Sequence, residues 1–239
     1  MDSFYVDPKD VRNQTVVIRG EEYRHLARVL RKKVGDHILV TDGCDHSYEV
    51  VIRLIDRVHA ECNIIETRLR LNEPKLDIAL AVSILRNPAR FDFLLEKATE
   101  LGVRTFIPMI CERTVPKREK HSRLEKIAIS AMKQCGRSYL PRIIELTSFA
   151  DLVGRASSYG LRLIPHEVTE QSQFIASVLK HHPEASSVLL AIGPEGGFTD
   201  GELTAAIHHG FVPISLGPRR LRSETAALSA LSWVVGDGR

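Results

Sequence analysis

With 239 residues, 44 % of them hydrophobic and 26 % charged, the chain has the composition of a folded protein of one large or two small domains, not of a disordered one. Its net charge of +3 excludes little by itself, but between Arg113 and Arg142 nine basic residues stand against two acidic ones, a local +7 that leaves the remainder net acidic. No apolar run approaches the ~20 residues of a membrane helix, and the N-terminus lacks a basic segment followed by an apolar one, so a cytoplasmic protein is expected.

Residues 1–71 read as a small β-barrel domain, with strands over Gln14–Arg19, His37–Val40, Tyr48–Ile55 and His59–Glu66 and turns at Gly35-Asp36 and Asp42-Gly43. One helix, Glu22 to Lys32, interrupts them. Its Arg24, Arg28 and Arg31 fall at i, i+4 and i+7, a cationic stripe opposite Leu26, Val29 and Leu30. Two basic clusters in one chain favour a polyanion, RNA or DNA, held through its phosphates. The polar, proline-containing stretch from Leu71 to Lys75 marks the boundary to a second domain, 72–239.

Beyond it strands and helices alternate, the pattern of a mostly parallel sheet covered by helices. Asp77–Ser83 is an apolar strand, and Asn87-Pro88 caps a helix that Gly102 ends. Val103–Ile110 is the next strand, and Ser122-x-x-Glu125 reads as a capping box opening a helix that closes near Gly136. Leu161–Pro165 and Ser187–Ile192 are strands with a helix around Phe174–Leu179 between them. Thr199-x-x-Glu202 opens a helix that Gly210 ends; Val212–Leu216 is the last strand, and Ser223 or its neighbour caps the final helix. The four cysteines, Cys44, Cys62, Cys111 and Cys135, contain no C-x-x-C pair and read as small buried hydrophobes. His181-His182 and His208-His209 fall late in helices, where the dipole favours them, and no metal site is supported.

Two strands run into unusual loops, Gly193-Pro194-Glu195-Gly196-Gly197-Phe198 and Gly217-Pro218-Arg219-Arg220-Leu221-Arg222. Loops at the carboxyl ends of parallel strands are where open α/β sheets bind ligands, and glycines there let a ligand touch main chain. Neither loop fits a dinucleotide or nucleotide-triphosphate fingerprint.

On these loops, together with Arg24-His25-Leu26-x-x-Val29-Leu30-Arg31, Glu96–Gly102, Glu112-Arg113-Thr114, Gln134-Cys135-Gly136-Arg137 and Glu224-Thr225-Ala226, the sequence resembles the RsmE family of small-subunit ribosomal RNA uridine-N3 methyltransferases, within the SPOUT superfamily. Arg86-Asn87-Pro88 and Lys133 depart from that family's pattern. The resemblance implies a PUA-like β-barrel followed by a SPOUT α/β domain with a C-terminal trefoil knot, a homodimer, and S-adenosylmethionine as methyl donor for 16S ribosomal RNA or the assembled small subunit. It implies that the knot gathers Leu163–Glu167, Ile192–Gly197 and Leu216–Ala226 into one pocket, so that Leu163, His166, Ile192, Gly193, Pro194, Glu195, Gly196, Gly197, Leu216, Gly217, Leu221, Arg222, Ser223 and Thr225 are expected to hold the donor. Arg222 is the expected stabiliser of a uracil anion, Glu224 or Glu195 the proton acceptor or the holder of that arginine, and Arg137 a catalytic contribution from the partner subunit. Arg24, His25, Arg28, Arg31, Arg86, Arg113 and Lys117 are the expected RNA contacts. The competing readings are a knotted methyltransferase for another RNA or a ribose hydroxyl, and a non-catalytic RNA-binding module.

Overall fold

The computed structural model describes residues 2–166 and 173–236. The chain forms two compact units, Met1–Glu73 with Ile129–Leu140, and Pro74–Ala128 with Pro141–Arg239. The chain thus returns to the first unit for twelve residues after entering the second, which no local feature near Leu71–Lys75 announces.

The first unit is a six-stranded sheet in the order β1-β4-β5-β6-β3-β2. Its strands are β1 (Ser3–Tyr5), β2 (Val11–Arg12), β3 (Thr15–Arg19), β4 (His37–Thr41), β5 (His46–Ile55) and β6 (His59–Leu69). All pairings are antiparallel except β1 with β4, and the ladder is an open path with β1 and β2 at its edges. Alternation drives it: Val16 and Ile18, Ile38 and Val40, Val50 and Ile52, Ala60 and Cys62 are buried in one core with Phe4, Tyr23 and Leu26. The two edge strands are too short to show a period, and the sequence pattern misses them.

The helix expected over Glu22–Lys32 is shorter and irregular. It starts at Gly20, runs as α1 (Gly20–Arg24), widens into a π-helical turn over His25–Val29, and ends with Arg31 at φ +52°. Widening changes the angular spacing, so Leu26 stays buried while Val29 is 66 % exposed, not on an apolar face.

In the returning segment Glu73 and Arg137 form an ion pair whose side chains are 0 % and 2 % exposed. Arg137 Nε and Nη2 donate to the Glu73 carboxylate at 3.1 and 2.6 Å, and the Ser138 and Tyr139 N–H groups donate to its Oε1, each at 3.0 Å. With its charge shared among these donors, the buried carboxylate is held by charge-assisted hydrogen bonds.

The second unit carries an eight-stranded, all-parallel sheet in the order β10-β8-β7-β13-β11-β14-β12, with β9 beside β8. The central strands are β7 (Asp77–Ser83), β8 (Thr105–Ile110), β11 (Leu161–Pro165), β13 (Ser187–Ile192) and β14 (Val212–Ser215); β9 (Arg142–Ile143), β10 (Thr147–Ser148) and β12 (Gln173–Phe174) are two-residue strands. The helices beyond Glu73 are α2 (Pro88–Glu100), α3 (His121–Cys135), whose residues from Ile129 onward belong to the first unit, α4 (Phe149–Arg155), α5 (Ile175–His181), α6 (Asp200–His208) and α7 (Ser223–Gly236). Both faces of the sheet are covered. Ile78, Leu80 and Val82 of β7 with Val188, Leu190 and Ile192 of β13 pack among α2, α5 and α7, whereas Ala79, Ala81, Leu189 and Ala191 meet residues of α4 and α6.

The helix ends follow local chemistry. Asn87 caps α2, and Thr199 caps α6 with the full reciprocal box to Glu202. The box expected at Ser122 is not the cap, because α3 already begins at His121 and Ser122 lies within it. His181 and His208 are the last residues of α5 and α6, as their spacing suggests. The cysteines divide: Cys62 and Cys111 are buried, but Cys44 is exposed and Cys135 half-buried, since turn and helix-end positions do not enclose them.

Candidate functional site

In the second unit the chain visits β7 and β8, then crosses over and adds β11, leaving a place between β7 and β11 that β13 fills; β14 then joins the far side of β11. Leu163 therefore pairs with Leu190 on one side and Val212 on the other. Because all three strands are parallel, the segments leaving β13, β11 and β14 emerge side by side at one rim, about 5 Å apart at the strand spacing.

There they enclose a cleft of about 580 Å³. Pro165 and His166 line it from β11, Ile192 to Phe198 from β13, and Leu216, Gly217, Arg219 to Ser223 and Ala226 from β14 and α7; Arg90 and Arg113 complete it. The glycine loops do what their composition suggests. Gly197 has φ +68° and Gly217 φ +108°, conformations that favour glycine, and a Cβ on Gly197 would meet no protein atom within 4 Å, so main chain stands open to a ligand.

Twelve of the fourteen expected donor-binding residues line this cleft. The other two do not: Leu163 is 0 % exposed in the core beneath, and Thr225 lies exposed on α7. Glu167 lies outside the described residues. Arg222 lines the cleft, whereas Glu224 stands beside it, 3.7 Å from Arg90 Nε. Glu195 lines the cleft with Oε1 accepting the Arg86 N–H at 3.0 Å. Arg137 is not among the lining residues; its guanidinium is spent on Glu73. Pro165, Arg219, Arg220 and Ala226 also line the cleft, within the segments expected to form the pocket; outside those segments sequence reasoning missed Arg90, Arg113 and Phe198 as lining residues, and Arg90 carried no signal, being one arginine in an amphipathic helix.

Electrostatically the cleft is positive: five arginines and one glutamate line it, which favours anionic ligands and developing negative charge. Below it, Ser83 Oγ and Thr114 Oγ1 are 2.7 Å apart, and Thr114 Oγ1 accepts the Cys111 N–H at 2.7 Å. Burial, and after it the Glu202 charge, push the Cys111 thiol up to about 12, so it is neutral and inert at physiological pH.

Of the expected RNA contacts, Arg24, His25, Arg28 and Arg31 are exposed on the first unit, and Arg86, Arg113 and Lys117 on the second. Several cations of the basic run are spent within the protein. Arg123 pairs with Glu119 at 2.8 Å and Asp92 at 3.2 Å, and Lys133 with Glu22 at 2.6 Å. Lys117 Nζ donates to the Thr114 carbonyl at 3.0 Å.

Comparison with known proteins bears on this cleft. Residues 72–235 match the model of an RNA methyltransferase domain, and residues 18–65 that of an RNA methyltransferase PUA domain. The ribosomal RNA small subunit methyltransferase E of Synechocystis is 32 % identical, over 96 % of this chain and 75 % of its own length; that of Bacillus subtilis is 30 % identical, over 92 % and 89 %. The chain belongs to the ribosomal RNA small subunit methyltransferase E family. Among solved structures, the methyltransferase E of Neisseria gonorrhoeae bound to S-adenosyl methionine shares 31 % identity with a TM-score of 0.86, over 97 % of this chain and 95 % of that one. A putative methyltransferase of Legionella pneumophila, in complex with the same cofactor, matches at 31 % identity and TM-score 0.84, over 99 % and 98 %. The family assignment makes the first unit a PUA-like sheet and the second an RNA methyltransferase domain. Among the described residues no helix is long and apolar enough to cross a membrane.

Proposed function

We propose that the chain methylates the N3 atom of a uridine in 16S ribosomal RNA, on the small subunit, with S-adenosylmethionine as donor. The observation that carries this reading is the convergence of the β11, β13 and β14 ends on one main-chain-lined cleft. Its volume, about 580 Å³, falls in the range of small-molecule sites, and the uncrowded main chain at Gly197 and Gly217 fits an adenosine recognised through N–H and C=O groups. When bound, the donor supplies an electrophilic methyl group on sulfur. The relatives of known structure that carry this ligand support the assignment.

The protein's own residues have two tasks. One is orientation: the rigid loops hold nucleophile and donor in line, worth up to about 7–11 kcal/mol when near-attack geometry is enforced. The other is acidity, because a uracil imide nitrogen attacks only after losing its proton. Arg222, lining the cleft, stabilises the resulting anion. Glu195 is the carboxylate on the cleft wall and takes the proton; Glu224 sets the position of Arg90. The adjacency of β11, β13 and β14 supports a trefoil knot, and we assign the protein as a cytoplasmic homodimer whose residues 1–71 bind RNA and 72–239 carry the reaction.

The test is incubation of the protein with labelled donor and either undermethylated small subunits or naked 16S RNA, followed by nucleoside analysis. Label in 3-methyluridine supports the reading; label in another base or on a ribose, or none, overturns it.

A further inference from the structure

Arg113 is exposed and lies in the basic run that the sequence assigns to RNA, but its guanidinium is hydrogen-bonded to the glycine loop after β13. Its Nη1 donates to the Gly196 carbonyl at 2.9 Å and to the Phe198 carbonyl at 3.3 Å. Its aliphatic stem lies on Gly196: a Cβ built there would stand 3.3 Å from Arg113 Cβ and 3.4 Å from Cδ. The neighbouring Glu112 makes matching contacts, its N–H donating to Glu202 Oε1 at 2.8 Å and its Oε2 accepting from the Thr199 hydroxyl at 3.2 Å. Beneath both, the buried Ser83–Thr114–Cys111 hydrogen bonds fix the turn from which they project.

The geometry points to the Cys111–Thr114 turn as a clamp on the glycine loop after β13, with Arg113 a positioning residue for donor binding and not a phosphate contact. The physical reason is that a Gly-Gly segment has few constraints of its own. A loop that must present bare main chain to a ligand needs its conformation imposed from outside, or it pays ordering entropy at each binding event. Arg113 holds two carbonyls of that loop, and its charge makes these hydrogen bonds stronger than neutral ones. The chain of contacts also links the loop to the end of β7 through Ser83, so the rim on which the cleft is built is continuous.

This inference rests on the donor reading above for its effect on affinity, but not for the clamp itself, and the experiment separates the two. In the full-length free protein, Arg113→Met keeps the stem and removes the donors; hydrogen exchange is then followed in peptides covering 193–199. Faster exchange confined to that loop supports the clamp, and unchanged exchange overturns it. Titration of the same variant with S-adenosylmethionine should give a dissociation constant raised about tenfold, with affinity for 16S RNA in the absence of donor changed less than about twofold. Lost RNA affinity with unchanged donor affinity overturns the proposal and returns Arg113 to the phosphate contacts. Arg113→Lys discriminates again: it restores a phosphate contact, which needs a charge, but not the clamp, since lysine ends one bond short of Nη1. If wild-type protein fails to bind the donor while Arg113→Met still loosens the loop, the functional reading falls and the clamp stands.

Discussion

Arg137 shows what a side chain's neighbours in space can do to a reading made from its neighbours in sequence. Beside Gln134-Cys135-Gly136 it looks like a functional arginine; in the fold it is 2 % exposed and committed to Glu73, 64 residues earlier. Removing one member of a buried ion pair strands the other, at a typical cost of about 3–5 kcal/mol. Arg137→Ala should therefore lower the urea midpoint sharply, and Glu73→Gln should do likewise. A variant of normal stability that has lost only methyl transfer would show instead that the guanidinium acts on substrate. The cysteines give a second check at this scale. Burial pushes the Cys62 and Cys111 thiols up to about 12, so neither forms thiolate near neutral pH. Cys44 is exposed, though raised by partial burial and by Asp42 and Asp45. A thiol reagent at pH 8 should modify Cys44 well ahead of Cys62 and Cys111, which should react only on unfolding; its rate should rise further with pH, because the thiolate fraction is still growing.

Elements were legible wherever the code is local. The strands Asp77–Ser83, Leu161–Pro165 and Ser187–Ile192 stand where their apolar runs place them, as do the Asn87 and Thr199 caps. The two-residue strands β9, β10 and β12 escaped because pairing partners far along the chain define them, and the π-helical turn escaped because a widened helix has no distinct composition. Gly102 belongs to the legible class. It ends α2 at φ +100°, its N–H donating to Thr99 and that of Val103 to Ala98, the paired bonds of a Schellman motif. A Cβ there would also collide with the Pro74 ring. Gly102→Ala should accordingly cost more than the about 1–2 kcal/mol of the left-handed conformation alone. Gly35, at φ +92° with no atom within 4 Å of its would-be Cβ, should bear only the conformational part on the same substitution. Equal melting-temperature losses at the two positions would show that the proline contact relaxes freely.

At the scale of the whole molecule, charge counted along the chain overstates the charge offered to a partner. The +7 of the run from Arg113 to Arg142 includes Arg123, Lys133 and Arg137, each paired with a carboxylate, and Arg113, which holds the glycine loop. The cleft was the reverse case: two loops recognisable by composition were gathered by a strand order that no local pattern specifies, so its residues were largely legible and its added arginines were not. RNA affinity should fall with salt, each phosphate contact adding about 0.7–0.9 to the slope of log affinity on log salt. The exposed Arg24, Arg28 and Arg31 on the first unit should supply part of that slope, and replacing all three by Gln should reduce it by about two. Arg123→Gln, which breaks the pairs to Glu119 and Asp92, should leave the slope unchanged while lowering thermal stability. A reduced slope for Arg123→Gln with an unaltered one for the triple variant would place the phosphate track on the basic run and remove it from the first unit's stripe.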